Sequence, residues 1–160
     1  LGFGSMTGFD AVRMRALLVE AMAGRRTVFN PGWSGMALQG LPANFHGVGD
    51  VPHDWLFARM AAVVHHGGSG TAHSAARAGV PSVAVPFAGD QFFWAHQLAR
   101  AGVAPAAVAG TRLTAQDLAR GIAWTDDAAV RSRARELGER MRAEQGLARA
   151  VAFVEATLAR

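Results

Sequence analysis

Two short apolar runs, Ala61 to Val64 and Val80 to Val85, flank a glycine-rich loop and a helix-forming run. This is the stretch that most limits the fold. The run Thr71 to Ala78 suits a helix, and Gly79 followed by Pro81 stops it where a helix should stop. A strand, a crossover helix and a second strand place the two strands parallel. Parallel strands need cover on both faces, so the chain is expected to be α/β, a Rossmann-like doubly wound parallel sheet.

The loop itself suggests a chemistry. Gly67, Gly68 and Gly70 let backbone approach a ligand closely. The first N–H groups of the following helix lack partners within the helix and carry the positive end of its dipole. Ser69 and Thr71 add hydroxyl donors, and His66 stands at the strand end. Together they form an anion seat suited to a phosphate or diphosphate. No Walker A lysine follows the glycines, because all 16 basic residues are arginine.

Alternation of elements continues on both sides. Leu1 to Gly4 reads as a strand end, followed by a Gly4-Ser5 turn. Gly2, Gly4 and Gly8 approximate a dinucleotide fingerprint, but the last spacing is one residue too long. Asn30 and Pro31 stand where the acidic residue would follow the second strand. Asp10 is placed to cap a helix over Ala11 to Ala23, with Met14, Leu17, Leu18 and Ala21 on one buried face. Thr27 to Phe29 and Phe45 to Val48 read as strands, and Leu56 to Met60 as a short helix. Trp55 is expected in the core, and Trp33 either packs in its loop or stacks on a base.

Beyond the loop, Gly89-Asp90-Gln91 follows the second apolar run, where ligands sit in open α/β sheets. A carboxylate beside a carboxamide matches neighbouring sugar hydroxyls. The alternative is that Asp90 caps the helix running to Arg100. Val103 to Val108 reads as a last strand and Thr114 as the start of a capped helix to Trp124. The helical tail from about residue 127 to 160 holds one helix from Ala128 to Gln145 and another from Leu147 to Leu158. In the first, Val130, Ala134, Leu137 and Met141 form a stripe, and the arginines lie mostly off it.

Bulk properties exclude several classes. At 160 residues the chain is one domain, and 51% apolar residues suffice for a core. No apolar run reaches the ~20 residues needed to span a membrane. The absence of cysteine removes disulfides, and the simplest location is the cytoplasm, including its membrane surfaces. The charge of +4 comes from arginines interleaved with glutamates, which reads as a solvated face and not as a nucleic-acid patch. Adjacent His65 and His66 face opposite ways on a strand, and no Cys or carboxylate lies at zinc spacing, so no metal site is expected.

His-His-Gly-Gly-Ser-Gly-Thr at residues 65–71, followed by Pro-Phe-Ala-Gly-Asp-Gln at residues 86–91, resembles the donor-binding signature of family 1 GT-B glycosyltransferases. Residues 51–57 and 89–93 look most like the sterol 3-β-glucosyltransferase branch. The resemblance implies the carboxyl-terminal, nucleotide-sugar-binding half of such an enzyme, spanning residues 1–160. It implies a UDP-sugar donor, UDP-glucose first, and no further cofactor. Ser5, His66, Gly67, Gly68, Ser69, Gly70 and Thr71 would hold the diphosphate. Asp90 and Gln91 would hold the sugar, and Val51, His53 and Trp33 would border the base. No catalytic residue is expected in the chain. The general base and the pocket for a lipophilic acceptor would come from an amino-terminal domain or a partner chain. Ser74 stands where plant members carry a ribose-binding Glu. The other readings are a nucleotide-sugar-binding subunit completed by a second chain, and a nucleotide-dependent oxidoreductase.

Overall fold

The computed structural model describes residues 1–159. After an extended segment at Leu1–Phe3 come α1 (Ala11–Ala21), β1 (Thr27–Phe29), β2 (Phe45–Gly47), α2 (His53–Phe57), β3 (Val63–His65) and α3 (Ser69–Ala78). Next are β4 (Ser82–Ala84), α4 (Gln91–Arg100), α5 (Ala115–Trp124), α6 (Ala128–Ala143) and α7 (Gly146–Leu158). β1 pairs with β2 and β3 with β4, both in parallel. The two pairs are joined through the first residues. Gly2 bridges Asn30 in parallel, while its N–H donates to the Val64 carbonyl at 3.0 Å. The Ser82 N–H reaches the Val103 carbonyl at 2.9 Å. The lateral order is therefore β2, β1, Leu1–Phe3, β3, β4, Val103.

This order has a consequence for ligands. From Leu1–Phe3 the chain proceeds outward in one direction to β1 and β2, then returns to the other side for β3 and β4. The order reverses between Leu1–Phe3 and β3, so a crevice opens beyond their carboxyl ends. Gly4 and Gly67 stand at those ends.

Both faces of the sheet are covered, as parallel strands require. Phe3, Phe29, Val64 and Val83 share one cluster with Met14, Leu17 and Leu18 of α1 and Leu118 and Ile122 of α5. On the opposite face Val63 packs with Phe57 of α2 and Ala75 of α3. α6 lies on α3 and α4 through Ala134, Ala72, Ala76 and Leu98, with Leu137 and Met141 against the same cluster. A Cβ on Gly138 would meet the Gly79 Cα at 2.7 Å, so only glycine lets α6 approach the end of α3 this closely. The arrangement is doubly wound.

Local signals set several boundaries. The Asp10 carboxylate accepts from the Arg13 N–H at 2.8 Å and starts α1. Thr114 and Asp117 form a reciprocal capping box at α5. Gly79 ends α3 in the left-handed region at φ 75.

Other expectations need correction. α2 begins at His53, three residues before the expected start, because Pro52 already supplies the entry turn and Asp54 sits in the favourable first turn. Trp55 is not in the core. It is 54% exposed, with the Arg59 guanidinium 4.3 Å from its ring centre. Trp33 does not pack in its loop either, being 76% exposed. Residues 103–108 form no strand, since only the Val103 carbonyl joins the ladder. Each named strand is three residues long. α7 buries none of its side chains, and no helix among the described residues is long and apolar enough to cross a membrane.

Candidate functional site

At the carboxyl end of β3 the chain turns sharply at Gly67, where φ is +89. The Gly67 N–H donates to the His65 Nδ1 at 3.0 Å. His65 is 1% exposed, and burial pushes its imidazole down to about 3. A neutral ring is what this bond needs, because a protonated ring has no acceptor nitrogen. The sequence pattern gives His65 no role beyond a place on the strand. His65 also fixes the loop, a role that no local sequence signal announces.

α3 then begins at Ser69, two residues ahead of the expected Thr71, with Gly68 as its cap residue. Ser69, Gly70 and Thr71 thus form the first turn, whose N–H groups have no partners within the helix. Ser69 and Gly70 are exposed, and nothing lies within 4 Å of where a Gly70 Cβ would stand. The seat is open.

The His66 ring is wedged between two glycines. A Cβ on Gly68 would lie 2.3 Å from His66 Nε2, and one on Gly4 would lie 3.2 Å from His66 Cε1. The buried Nδ1 of His66 has no protein partner. Burial holds this imidazole below the ordinary histidine range, and the Asp90 carboxylate partly offsets the shift. Ser5, next to Gly4 in the chain, is exposed. The Trp33 N–H donates to the Gly4 carbonyl at 2.9 Å, which ties the Trp33 loop to the same turn.

The second wall is the turn before α4. A Cβ on Gly67 would meet the Gln91 carbonyl at 2.9 Å, so residues 67 and 91 are in backbone contact across the cleft. Gln91 is buried. Its Oε1 accepts from the N–H groups of Phe87 at 2.8 Å and Ala88 at 3.2 Å, and its Nε2 donates to the Met6 sulfur at 3.0 Å. Asp90 is exposed. Its carboxylate makes no cap bond to α4 and instead accepts from the Trp94 indole N–H at 3.0 Å. The capping alternative for Asp90 is therefore not what the side chain does. Met6 and Trp94, both absent from the expected site, were invisible because each acts through a partner chosen by the fold.

A cavity of about 70 Å³ adjoins the crevice, lined among others by Gly4, Asn30, His53, His65 and Thr71. His53 is exposed with its ring stacked on Phe57 at 4.5 Å, and Val51 is half-buried. The Asn30 carboxamide donates to the Gly49 carbonyl at 3.0 Å and accepts from the Gly32 N–H at 2.8 Å, joining the two loops on this side. The structure thus brings Gly4, His66 to Gly68 and Gln91 together at the carboxyl end of the sheet, with Ser5, Ser69 and Asp90 exposed next to them in the chain, His53 lining the adjoining cavity, and Trp33 tied to Gly4 through its backbone.

Residues 28–155 match the model of the erythromycin biosynthesis protein CIII-like, C-terminal domain family. The chain belongs to this family. Among its relatives, a sterol 3-beta-glucosyltransferase of Eremothecium gossypii is 39% identical over 99% of the chain, which covers 14% of that protein. The sterol 3-beta-glucosyltransferase UGT80B1 of Arabidopsis thaliana is 37% identical over 94% of the chain, which covers 25% of it. The crystal structure of the calicheamicin glycosyltransferase CalG4 superposes with a TM-score of 0.84 at 28% identity, covering 99% of this chain and 41% of that one. This CIII-like domain therefore spans well under half the length of the proteins it matches.

Proposed function

We propose that this chain is the donor-binding half of an inverting glycosyltransferase. The complete enzyme would move a hexose from a UDP-sugar, UDP-glucose first, to a hydroxyl of a lipophilic acceptor such as a sterol or a natural-product aglycone. The observation that carries this reading is the crevice at the strand-order reversal, where an open helix start adjoins an imidazole with an unpartnered nitrogen, close enough to Asp90 to feel its charge. The sterol glucosyltransferase relatives support the acceptor class.

In this reading the amides of Gly68 to Thr71 and the hydroxyls of Ser5, Ser69 and Thr71 hold the diphosphate, and His66 donates to it. Asp90 and Gln91 orient the sugar. Val51, His53 and Trp33 border the base. Departure of the diphosphate develops negative charge, which preorganised N–H donors at a helix start stabilise, each removed donor costing ~3 kcal/mol of barrier. Gln91 has a double duty. Its Oε1 anchors the turn, while its Nε2, bonded only to a thioether, retains donor capacity for a hydroxyl. The general base and acceptor pocket belong to an amino-terminal domain or a partner chain, so this chain alone binds donor without turnover.

Thermal unfolding with UDP-glucose, dTDP-glucose and NAD tests the reading. The expected result is stabilisation by UDP-glucose above the other two. Stabilisation by NAD alone would contradict it and favour the oxidoreductase.

A further inference from the structure

An aspartate just ahead of a helix ordinarily turns its carboxylate over the first N–H groups. Asp90 does not, although it occupies that position. Its Oδ2 is drawn along the helix flank to the Trp94 indole N–H, 3.0 Å away. The indole is held in turn. It is half-buried against the Ala72, Ala76 and Leu98 cluster, and it meets the His73 ring edge to face at 4.6 Å and 69°. The His73 Nδ1 is 2.7 Å from the Ser69 carbonyl and donates to it. Ser69 opens α3 at the anion seat. A continuous set of contacts thus runs from the first residue of the phosphate helix through His73 and Trp94 to the carboxylate on the opposite wall.

We propose that Trp94 is a positioning residue for the donor sugar. It pins one oxygen of Asp90 and leaves the other to accept from a hexose hydroxyl. A free carboxylate on an exposed side chain samples several rotamers, and each must be given up when sugar binds. The indole bond fixes the rotamer beforehand. Through His73 it also sets the carboxylate relative to the start of α3, so the sugar ligand and the diphosphate seat keep one spacing. This inference rests on the reading of Asp90 as a sugar ligand.

Calorimetric titration of the chain with UDP-glucose and with UDP separates the possibilities. Trp94→Phe keeps an aromatic ring and removes the N–H. It is expected to weaken UDP-glucose about fivefold while changing UDP by less than about twofold. Asp90→Asn leaves a carbonyl for the indole but replaces the charged oxygen offered to the sugar. It is expected to give a similar selective loss, and the double variant little more than either single one, because Trp94 acts on the sugar only through residue 90. Equal weakening of UDP and UDP-glucose by Trp94→Phe means a structural role only and overturns the proposal, as does no change in either. An unchanged Asp90→Asn removes the sugar role of Asp90 and the proposal with it. Loss in Asp90→Asn beside an unchanged Trp94→Phe removes the proposal alone. A second readout holds even if Trp94→Phe folds poorly. In the unsubstituted chain, the indole N–H resonance of Trp94 should shift with UDP-glucose and stay in place with UDP, and the reverse contradicts the proposal.

Discussion

The two walls of the crevice are made of different materials. Residues 67–71 present backbone, and what matters there is the room that glycine leaves beside His66 and the Gln91 carbonyl. Residues 90–91 present side chains, and what matters there is which partner holds each one: Trp94 for Asp90, and Phe87, Ala88 and Met6 for Gln91. A wall of backbone is fixed by sterics and helix geometry, so almost any added atom disturbs it. A wall of side chains is fixed by hydrogen bonds, so single bonds can be removed with the fold intact. Substitutions in the first wall should therefore affect folding and every ligand, while those in the second should discriminate between ligands.

Acid gives the largest expected effect, and it falls on the backbone wall. The folded His65 titrates near 3 against an ordinary 6.5, so the folded state binds fewer protons than the unfolded one. Its contribution is complete above about pH 6.5 and is lost as pH falls toward 3, amounting to about 5 kcal/mol over that window. Urea unfolding as a function of pH reads this directly. His65→Asn keeps an acceptor near the Gly67 N–H without titrating there, and should flatten the slope.

Gly67→Ala comes next. At φ +89, with the Gln91 carbonyl 2.9 Å from the new methyl, it should cost about 2–3 kcal/mol of stability and abolish measurable binding of both UDP and UDP-glucose. Gly68→Ala tests the same wall without positive φ. Its methyl displaces the His66 ring and should weaken UDP and UDP-glucose alike, by about tenfold.

On the other wall, Gln91→Ala leaves two amides without their acceptor. It should cost about 1–2 kcal/mol and speed hydrogen exchange at Phe87 and Ala88, with exchange at Gly68 unchanged. The smallest effect on stability belongs to Asp90→Asn, whose thermal midpoint should match the unsubstituted chain. A large drop would merge the two walls into one cooperative unit and end the comparison.

The same contrast explains what could be read in advance. The glycines, the helix stop at Gly79 and the Thr114 box each act on their own neighbours, so they are visible in a linear string. The start of α3 was placed two residues late because Ser69 and Gly70 are poor helix formers, and their helical geometry depends on Gly68 fitting beneath His66. Trp55 is expected in the core, but the Arg59 guanidinium over its ring gives it a partner at the surface. Met6 meets Gln91 across a separation of 85 residues, and no spacing rule reaches that far. The strand near residue 103 failed for a related reason, since one carbonyl suffices to finish the sheet edge.

The central claim is that a diphosphate rests on the amides after Gly67 with its hexose toward Asp90. Amide chemical shifts of the isotope-labelled chain, titrated with UDP and then with UDP-glucose, test it most directly. The account predicts that both ligands move Gly68, Ser69, Gly70 and Thr71, and that only UDP-glucose moves Asp90 and Gln91. Saturable binding that leaves residues 68–71 unmoved would contradict it.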